Sequence, residues 1–414
     1  MRKQQIGKMG ISPVEWKKIQ TRLLKAKKAL LHIEHTESQG FFKLPYDRQT
    51  QKTTATLAHN ISRRFSDLVV LGIGGSDLGA RAIQQALVHP TVKQRGMNVH
   101  FAGATTDPDD LVKLLSTVDL RKTCINIVSK SGDTIEPMSV FHILQDKLIR
   151  AVGRKKFAEH IVATTDSKTG SLRAAALKKG FRILDIPRNV EGRYSVLTPV
   201  GLFPAAAMGV DTAKLLSGAV ASIADFHHCK NAQCAACRFA GLSAWSASQG
   251  RTIQVTMAYS TRLVEFSRWT RQLIAESLGK KVTRQGRVVH AGVTPLSCTG
   301  PEDQHSQLQL WTEGPADKTV TFIEIEKRKQ NFSSSYGSLE KLVHLERWAT
   351  AEALRLEGRP NGTIFLGQLD AYSLGALMMF FEISVALMGE LMDVNAFNQP
   401  GVALMKKLLL KRLA

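Results

Sequence analysis

The chain has 414 residues, 43% of them apolar, with 56 Lys and Arg against 35 Asp and Glu for a net charge of +21. That much apolar material in an ordinary globular mix excludes a disordered or low-complexity protein and allows a large core shared by two or three domains. Five cysteines at irregular spacings exclude a disulfide framework and fit a reducing, cytoplasmic setting.

Residues 1–10 carry Arg2, Lys3 and Lys8 without an apolar run behind them, so a secretory signal is not expected. From Ser12 the spacing predicts a helix: Ser12 can cap, Pro13 suits the first turn and Glu15 completes a capping box. Its apolar positions run through Leu23, Leu24, Leu30 and Leu31 and break near Gly40, which reads as a helical arm over residues 1–45, outside the main sheet. From Asp67 short apolar runs alternate with helix-length segments: DLVVLGI, NVHFAGA, TCINIVSKS, HIVATTD and FRILDI, with helices expected near 109–116 and 136–149. Such alternation predicts an α/β domain with a parallel sheet covered by helices, over residues 46–190. A second α/β domain is expected over 191–370, with helices at 198–208, 211–224, 234–249, 261–278 and 339–356 and strands at TIQVTMA, KTVTFIEI and GTIFLGQL. A helical segment over 371–414 closes the chain. Its apolar run 371–388 approaches membrane-spanning length, but a charge such as Glu382 at a bilayer centre costs about 2.5 kcal/mol or more, so a buried helix is expected and no membrane contact.

Four places combine turns, hydroxyls and ionisable groups. Gly72-Ile73-Gly74-Gly75-Ser76 leaves a strand and leads into a helix, where glycines admit a close ligand and the helix N-terminus favours an anion. Ser129-Lys130-Ser131-Gly132-Asp133-Thr134 again lies between strand and helix and reads as a phosphate cradle, although a plain N-cap cluster explains its hydroxyls as well. Arg193, in Glu191-Gly192-Arg193-Tyr194-Ser195, could stabilise an oxyanion if it points into the cleft between the domains, and is otherwise an ordinary surface arginine. Gln272 and Glu276 share a helix face at i,i+4 near the helix's carboxyl-terminal end, where the dipole disfavours a negative charge and so favours proton acceptance. His305, in Asp303-Gln304-His305-Ser306, is the strongest acid–base candidate among twelve histidines.

His227, His228, Cys229, Cys234 and Cys237 could together supply zinc ligands, but the Ala-rich helical stretch around them and the absence of a second CxxC favour packing. The basic residues are scattered and not interleaved with aromatics, which favours a solvated basic surface over a nucleic-acid interface.

In order, GIGGSDLGARA, SKSGDT, EGRYSVLTPVGLFPAAAMG, ESLGK, GPEDQHSQLQLWTEGP and NQPGV resemble the motifs of the glucose-6-phosphate isomerase family, from about Asp67 to Lys406. The first two occur in many sugar-isomerase (SIS) domains, and the later ones belong to the isomerase itself. The resemblance implies two SIS-type domains, a flavodoxin-like fold, and interconversion of glucose 6-phosphate and fructose 6-phosphate through a cis-enediol. It further implies that Glu276 moves the proton between C2 and C1, that His305 and Lys406 assist ring opening, and that Arg193 steadies the enediolate. Gly75, Ser76, Ser129, Lys130, Ser131 and Thr134 would hold the phosphate, and Gln272 and Gln399 would contact the sugar. Family members are homodimers, so His305 would act on the neighbouring subunit's site, and no metal or organic cofactor is implied. Glu191, Asp133 and Ala403 depart from the family pattern, which usually has glycine, threonine and glutamate there. A sugar-phosphate sensor built on the same domains would have lost the proton-transfer groups, yet Glu276, His305, Lys406 and Arg193 are all present.

Overall fold

The computed structural model describes residues 11–88 and 96–413. Helix α1 (Pro13–His35) begins with the expected capping box, the Ser12 hydroxyl accepting from the Glu15 N–H and the Glu15 carboxylate from the Ser12 N–H. Ile19, Leu23, Ala26 and Leu30 recur every three or four residues, and that stripe is buried in the central core. After α2 (Arg48–Ser62) come β1 (Asp67–Leu71), α3 (Leu78–Leu87), β2 (Asn98–Ala102), α4 (Pro108–Thr117), β3 (Thr123–Val128), α5 (Ile135–Val152), β4 (Ile161–Asp166), α6 (Ser171–Lys179) and β5 (Arg182–Ile186). The five strands form one parallel sheet in the order β2-β1-β3-β4-β5. Every residue of β3 and β4 is buried, as expected for strands covered by helices on both faces. The alternation of side chains sends Leu68, Val70, Cys124 and Val128 into one apolar layer, and Val69, Leu71, Ile125 and Ile127 into another.

Three helices, α7 (Pro199–Ala207), α8 (Thr212–His228) and α9 (Ala235–Ser248), lead to β6 (Ile253–Ala258) and α10 (Val264–Leu278). A hairpin of β7 (Lys280–Val282) and β8 (Val288–Ala291) is followed by β9 (Thr294–Thr299), α11 (Glu302–Ser306), α12 (Leu308–Glu313) and β10 (Lys318–Ile325). The short pair β11 (Ser333–Ser334) and β12 (Gly337–Ser338) precedes α13 (Leu339–Leu356) and β13 (Asn361–Leu366). The second sheet, β13-β10-β6-β9, is also wholly parallel. Its first strand lies between the second and the third, with the fourth beyond the third, the same order as the first four strands of sheet one. Both halves therefore have the α/β architecture that the alternating runs predicted.

Helix α14 (Ala371–Leu391) is long and apolar enough to cross a membrane, but 89% of its apolar window is buried inside the protein. It packs on α8, α9, α10 and α1, so it is the core helix expected. The final helix, α15 (Ala403–Leu413), differs in kind: it has no buried residue and exposes Leu404, Met405, Leu408, Leu410 and Leu413.

Candidate active site

In sheet one the strand order reverses direction between β1 and β3, and the loops after these two strands leave its carboxyl edge side by side, the usual place for a ligand in an open parallel sheet. After β1, residues Gly74–Ser76 form one tight helical turn. Gly75 lies so close to the 192–193 backbone that a Cβ there would fall 2.2 Å from the Gly192 carbonyl carbon. After β3, the Ser129 hydroxyl accepts from the Gly132 N–H at 3.0 Å and pairs with the Thr134 hydroxyl at 3.2 Å, while the Ser131 hydroxyl accepts from the Asp133 N–H at 3.2 Å. Helix α5 then starts without a side-chain cap. Its first-turn N–H groups lie at the positive end of the helix dipole, directly after the loop that carries the hydroxyls of Ser129, Ser131 and Thr134, an arrangement that can hold an anion.

Behind these loops stands a buried arginine. Arg193 is only 1% exposed, and two other chain segments, 276–277 and 396–399, share it. Its Nε donates to the Ser277 hydroxyl at 2.8 Å, and its Nη2 to the carbonyls of Ala396 at 2.6 Å and Asn398 at 3.2 Å. Its Nη1 donates to the Gln399 amide oxygen and lies 3.5 Å from the Glu276 carboxylate. So many fixed acceptors hold the guanidinium plane in one orientation. Glu276 also accepts from the Gln272 amide at 3.1 Å across one helical turn, and Gln272 in turn lies against Gly74. The Glu276 side chain keeps 33% of its surface exposed, so it is held on one side and open on the other.

The dipole of α10 does not act on Glu276 alone. Lys280 donates its ammonium hydrogens to the Glu276 and Ser277 carbonyls, satisfying orphan acceptors at the helix end and offsetting the dipole there. Burial, with the nearby Arg193 charge, pulls the Lys280 ammonium down to about 8. Sequence reasoning missed Lys280 and Ser277 as site residues. The signal available was a Lys four positions after Glu276, at the helix's last carbonyls. Burial pushes the Tyr194 phenol up to about 12, and its oxygen pairs with the Ser277 hydroxyl at 3.3 Å. Burial also raises Asp77, beside Ser76, against the lowering effect of Arg81 at 2.6 Å.

The structure thus brings together Gly75, Arg193, Gln272, Glu276 and Gln399, with Ser76 in the adjoining turn and Ser129, Ser131 and Thr134 on the neighbouring loop. Lys130 belongs to that loop but points elsewhere: its ammonium donates to the carbonyls of Arg188 at 2.9 Å and Val190 at 3.0 Å. It ties the loop to the segment that carries Arg193. His305 is exposed on α11, beyond the edge strand β9, and Lys406 is exposed on α15. Neither has a described contact with Glu276 within this chain. Asp133 accepts from the Ser171 hydroxyl at 2.7 Å on the exposed side of its loop, and Ala403 is exposed at the start of α15. Glu191 precedes the turn Gly192–Tyr194 and is partly exposed.

Chemically, a half-open carboxylate beside a fixed guanidinium can take a proton from carbon while the neighbouring oxygen gains charge. A neighbouring anion site can anchor the molecule on which that happens.

A sequence model of the phosphoglucose isomerase family matches residues 50–358 and 353–413. The glucose-6-phosphate isomerase of Carboxydothermus hydrogenoformans is 38% identical over 389 residues, covering 89% of this chain and 83% of the relative. That of Rubrobacter xylanophilus is 36% identical over 422 residues, covering 98% and 95%. Among solved structures, a hypothetical protein from Thermus thermophilus superposes with a TM-score of 0.92 at 34% identity over 100% of both chains. A glucose-6-phosphate isomerase from Chlamydia trachomatis shares the fold, with a TM-score of 0.88 at 22% identity, covering 97% of this chain and 86% of that one.

Proposed function

The chain belongs to the phosphoglucose isomerase family, and from that premise we propose how its side chains divide the work of an aldose–ketose isomerisation. The protein is an isomerase that interconverts glucose 6-phosphate and fructose 6-phosphate, a step of glycolysis and gluconeogenesis.

The phosphate is anchored by Ser76, Ser129, Ser131 and Thr134 with the N-terminus of α5, and Lys130 holds that loop in place. The sugar then extends toward Glu276. Ring opening moves a proton from the C1 hydroxyl to the ring oxygen, with His305 and Lys406 as the proton carriers. The Glu276 carboxylate takes the C2 proton, and the C2–H electron pair forms the C1–C2 double bond of the cis-enediol. Arg193 steadies the charge on the enediolate oxygens, Gln272 and Gln399 contact the hydroxyls, and Glu276 returns the proton to C1. The substrate's own carbonyl makes the C2 proton acidic.

The observation that carries this reading is the pairing of a 1%-exposed arginine with a one-third-exposed carboxylate, 3.5 Å apart, beside an uncapped helix N-terminus. His305 and Lys406 are assigned as groups brought to the site by a homodimer, His305 from the neighbouring subunit. Their exposure in the single chain, with that of the apolar α15, supports the assignment. We place the enzyme in the cytoplasm, where a reducing medium keeps thiols such as its five free cysteines unpaired.

The test is a coupled assay of fructose 6-phosphate conversion with wild type and Glu276→Gln. The variant is expected to lose about 10²–10⁴-fold in kcat with little change in KM, the range of a lost general base. Most activity retained would remove Glu276 as the base, and an inactive wild type that still binds the sugar phosphate would favour a sensor.

A further inference from the structure

Away from this site, the turn between α8 and α9 gathers three of the five cysteines. Cys229 follows α8, Cys234 stands at the N-cap of α9 and Cys237 lies in that helix's first turn; all three sulfurs are within 4.8 Å of one another. The backbone is bent to achieve this. Asn231 and Ala232 both occupy the left-handed region, with φ of 54° and 51°, which folds Cys229 back over the start of α9. Helix α1 fastens the arrangement: the Lys27 ammonium donates to the His227 carbonyl at 3.2 Å, the Cys229 carbonyl at 2.8 Å and the Cys229 sulfur at 3.4 Å.

We propose that Cys229, Cys234 and Cys237 form a three-thiolate site for Zn²⁺, with a fourth coordination position open to water. Around a zinc ion with Zn–S bonds of about 2.3 Å, tetrahedrally placed sulfurs lie roughly 3.8 Å apart, a spacing the cluster reaches with small side-chain shifts. Cys229 and Cys234 line a cavity of about 800 Å³ together with Asp225, Gln233, Arg238 and Gln368, whereas Cys237 is fully buried behind them. The open position therefore faces the cavity. Three thiolates and Zn²⁺ leave a net charge of −1, which the Lys27 ammonium against Cys229 balances.

Binding of Zn²⁺ displaces the three thiol protons to solvent, and no electron moves. A disulfide would join two of these sulfurs and give the third no role. The nearby histidines are engaged elsewhere, His227 with Glu34 at 2.7 Å and His228 with the Ala224 carbonyl at 2.8 Å, so the set consists of sulfur alone.

Co²⁺ is the probe. Titrated into the reduced full-length enzyme, it should bind once per chain with a near-ultraviolet thiolate-to-cobalt charge-transfer band that Zn²⁺ abolishes by competition. Cys229→Ala and Cys234→Ala should each weaken binding by at least about tenfold, while Cys298→Ala retains the band and all three variants keep isomerase activity. Absence of the band, its persistence in Cys229→Ala, or a thiol titration showing two of the three cysteines oxidised as isolated would each overturn the proposal. Unchanged circular dichroism in the two cluster variants separates loss of a ligand from loss of the fold.

Discussion

Glu382 is the residue whose behaviour departs most from its type. It is fully buried within α14, and among the described residues neither carboxyl oxygen has a hydrogen-bond partner. Burial holds its carboxyl well above the usual 4.5. The folded chain therefore keeps a proton that the unfolded chain releases, so stability falls as pH rises above about 4.5. Replacing Glu382 by Met should stabilise the protein by about 1–3 kcal/mol at pH 7, the cost of an unsatisfied buried polar group, and by less at pH 4.5. Urea denaturation at the two pH values tests it, and an equal gain at both would place the effect in packing alone. Arg193 is the opposite case, a buried charge with five acceptors. Nothing in Glu-Gly-Arg-Tyr foretold that satisfaction, because its partners lie 83 to 206 positions further along the chain.

At the scale of elements, the contact between the turn after β1 and the turn carrying Arg193 sets the register of the site. A methyl group at Gly75 would strike the Gly192 backbone, whereas one at Gly192 finds nothing nearer than the Gly75 Cα at 3.9 Å. Gly75→Ala should therefore displace Arg193 and lower kcat/KM by about 10²-fold or more, while Gly192→Ala keeps most of the activity. Comparable losses in both variants would show that backbone freedom, not close approach, governs the contact. The elements themselves were largely legible where burial is two-sided: β3 and β4 are buried along their whole length, and each was expected within about three residues. Strand β9, TPLSCT, was missed, since an edge strand tolerates Pro295 and is only partly buried, which blurs the apolar signal. For the site, the hydroxyl loop and Glu276 were legible from their places at a strand end and on a helix face. The tether role of Lys130 and the capping of α10 by Lys280 were not, because spacing assigns a side chain to a face and does not name its partner.

For the whole molecule, the question of assembly reduces to where His305 acts. If His305 completes the neighbouring subunit's site, His305→Ala and Glu276→Gln are each inactive alone but complement each other. Dissociated, mixed and reassociated in equal amounts, they should recover about a quarter of wild-type activity, since half of randomly formed dimers hold one intact site. No recovery from chains shown to have exchanged would place His305 within its own subunit's site. One further property follows from the apolar layer between the sheets. Leu68 and Val70 of the first sheet and Ile323 and Ile325 of the second belong to one continuous cluster with α1, α8 and α14. Cutting the chain between the sheets would expose that cluster on both pieces, so neither half keeps a stable fold by itself. Heat should then melt the protein in a single calorimetric endotherm, with calorimetric and van't Hoff enthalpies equal per cooperative unit, despite two sheets of the same strand order.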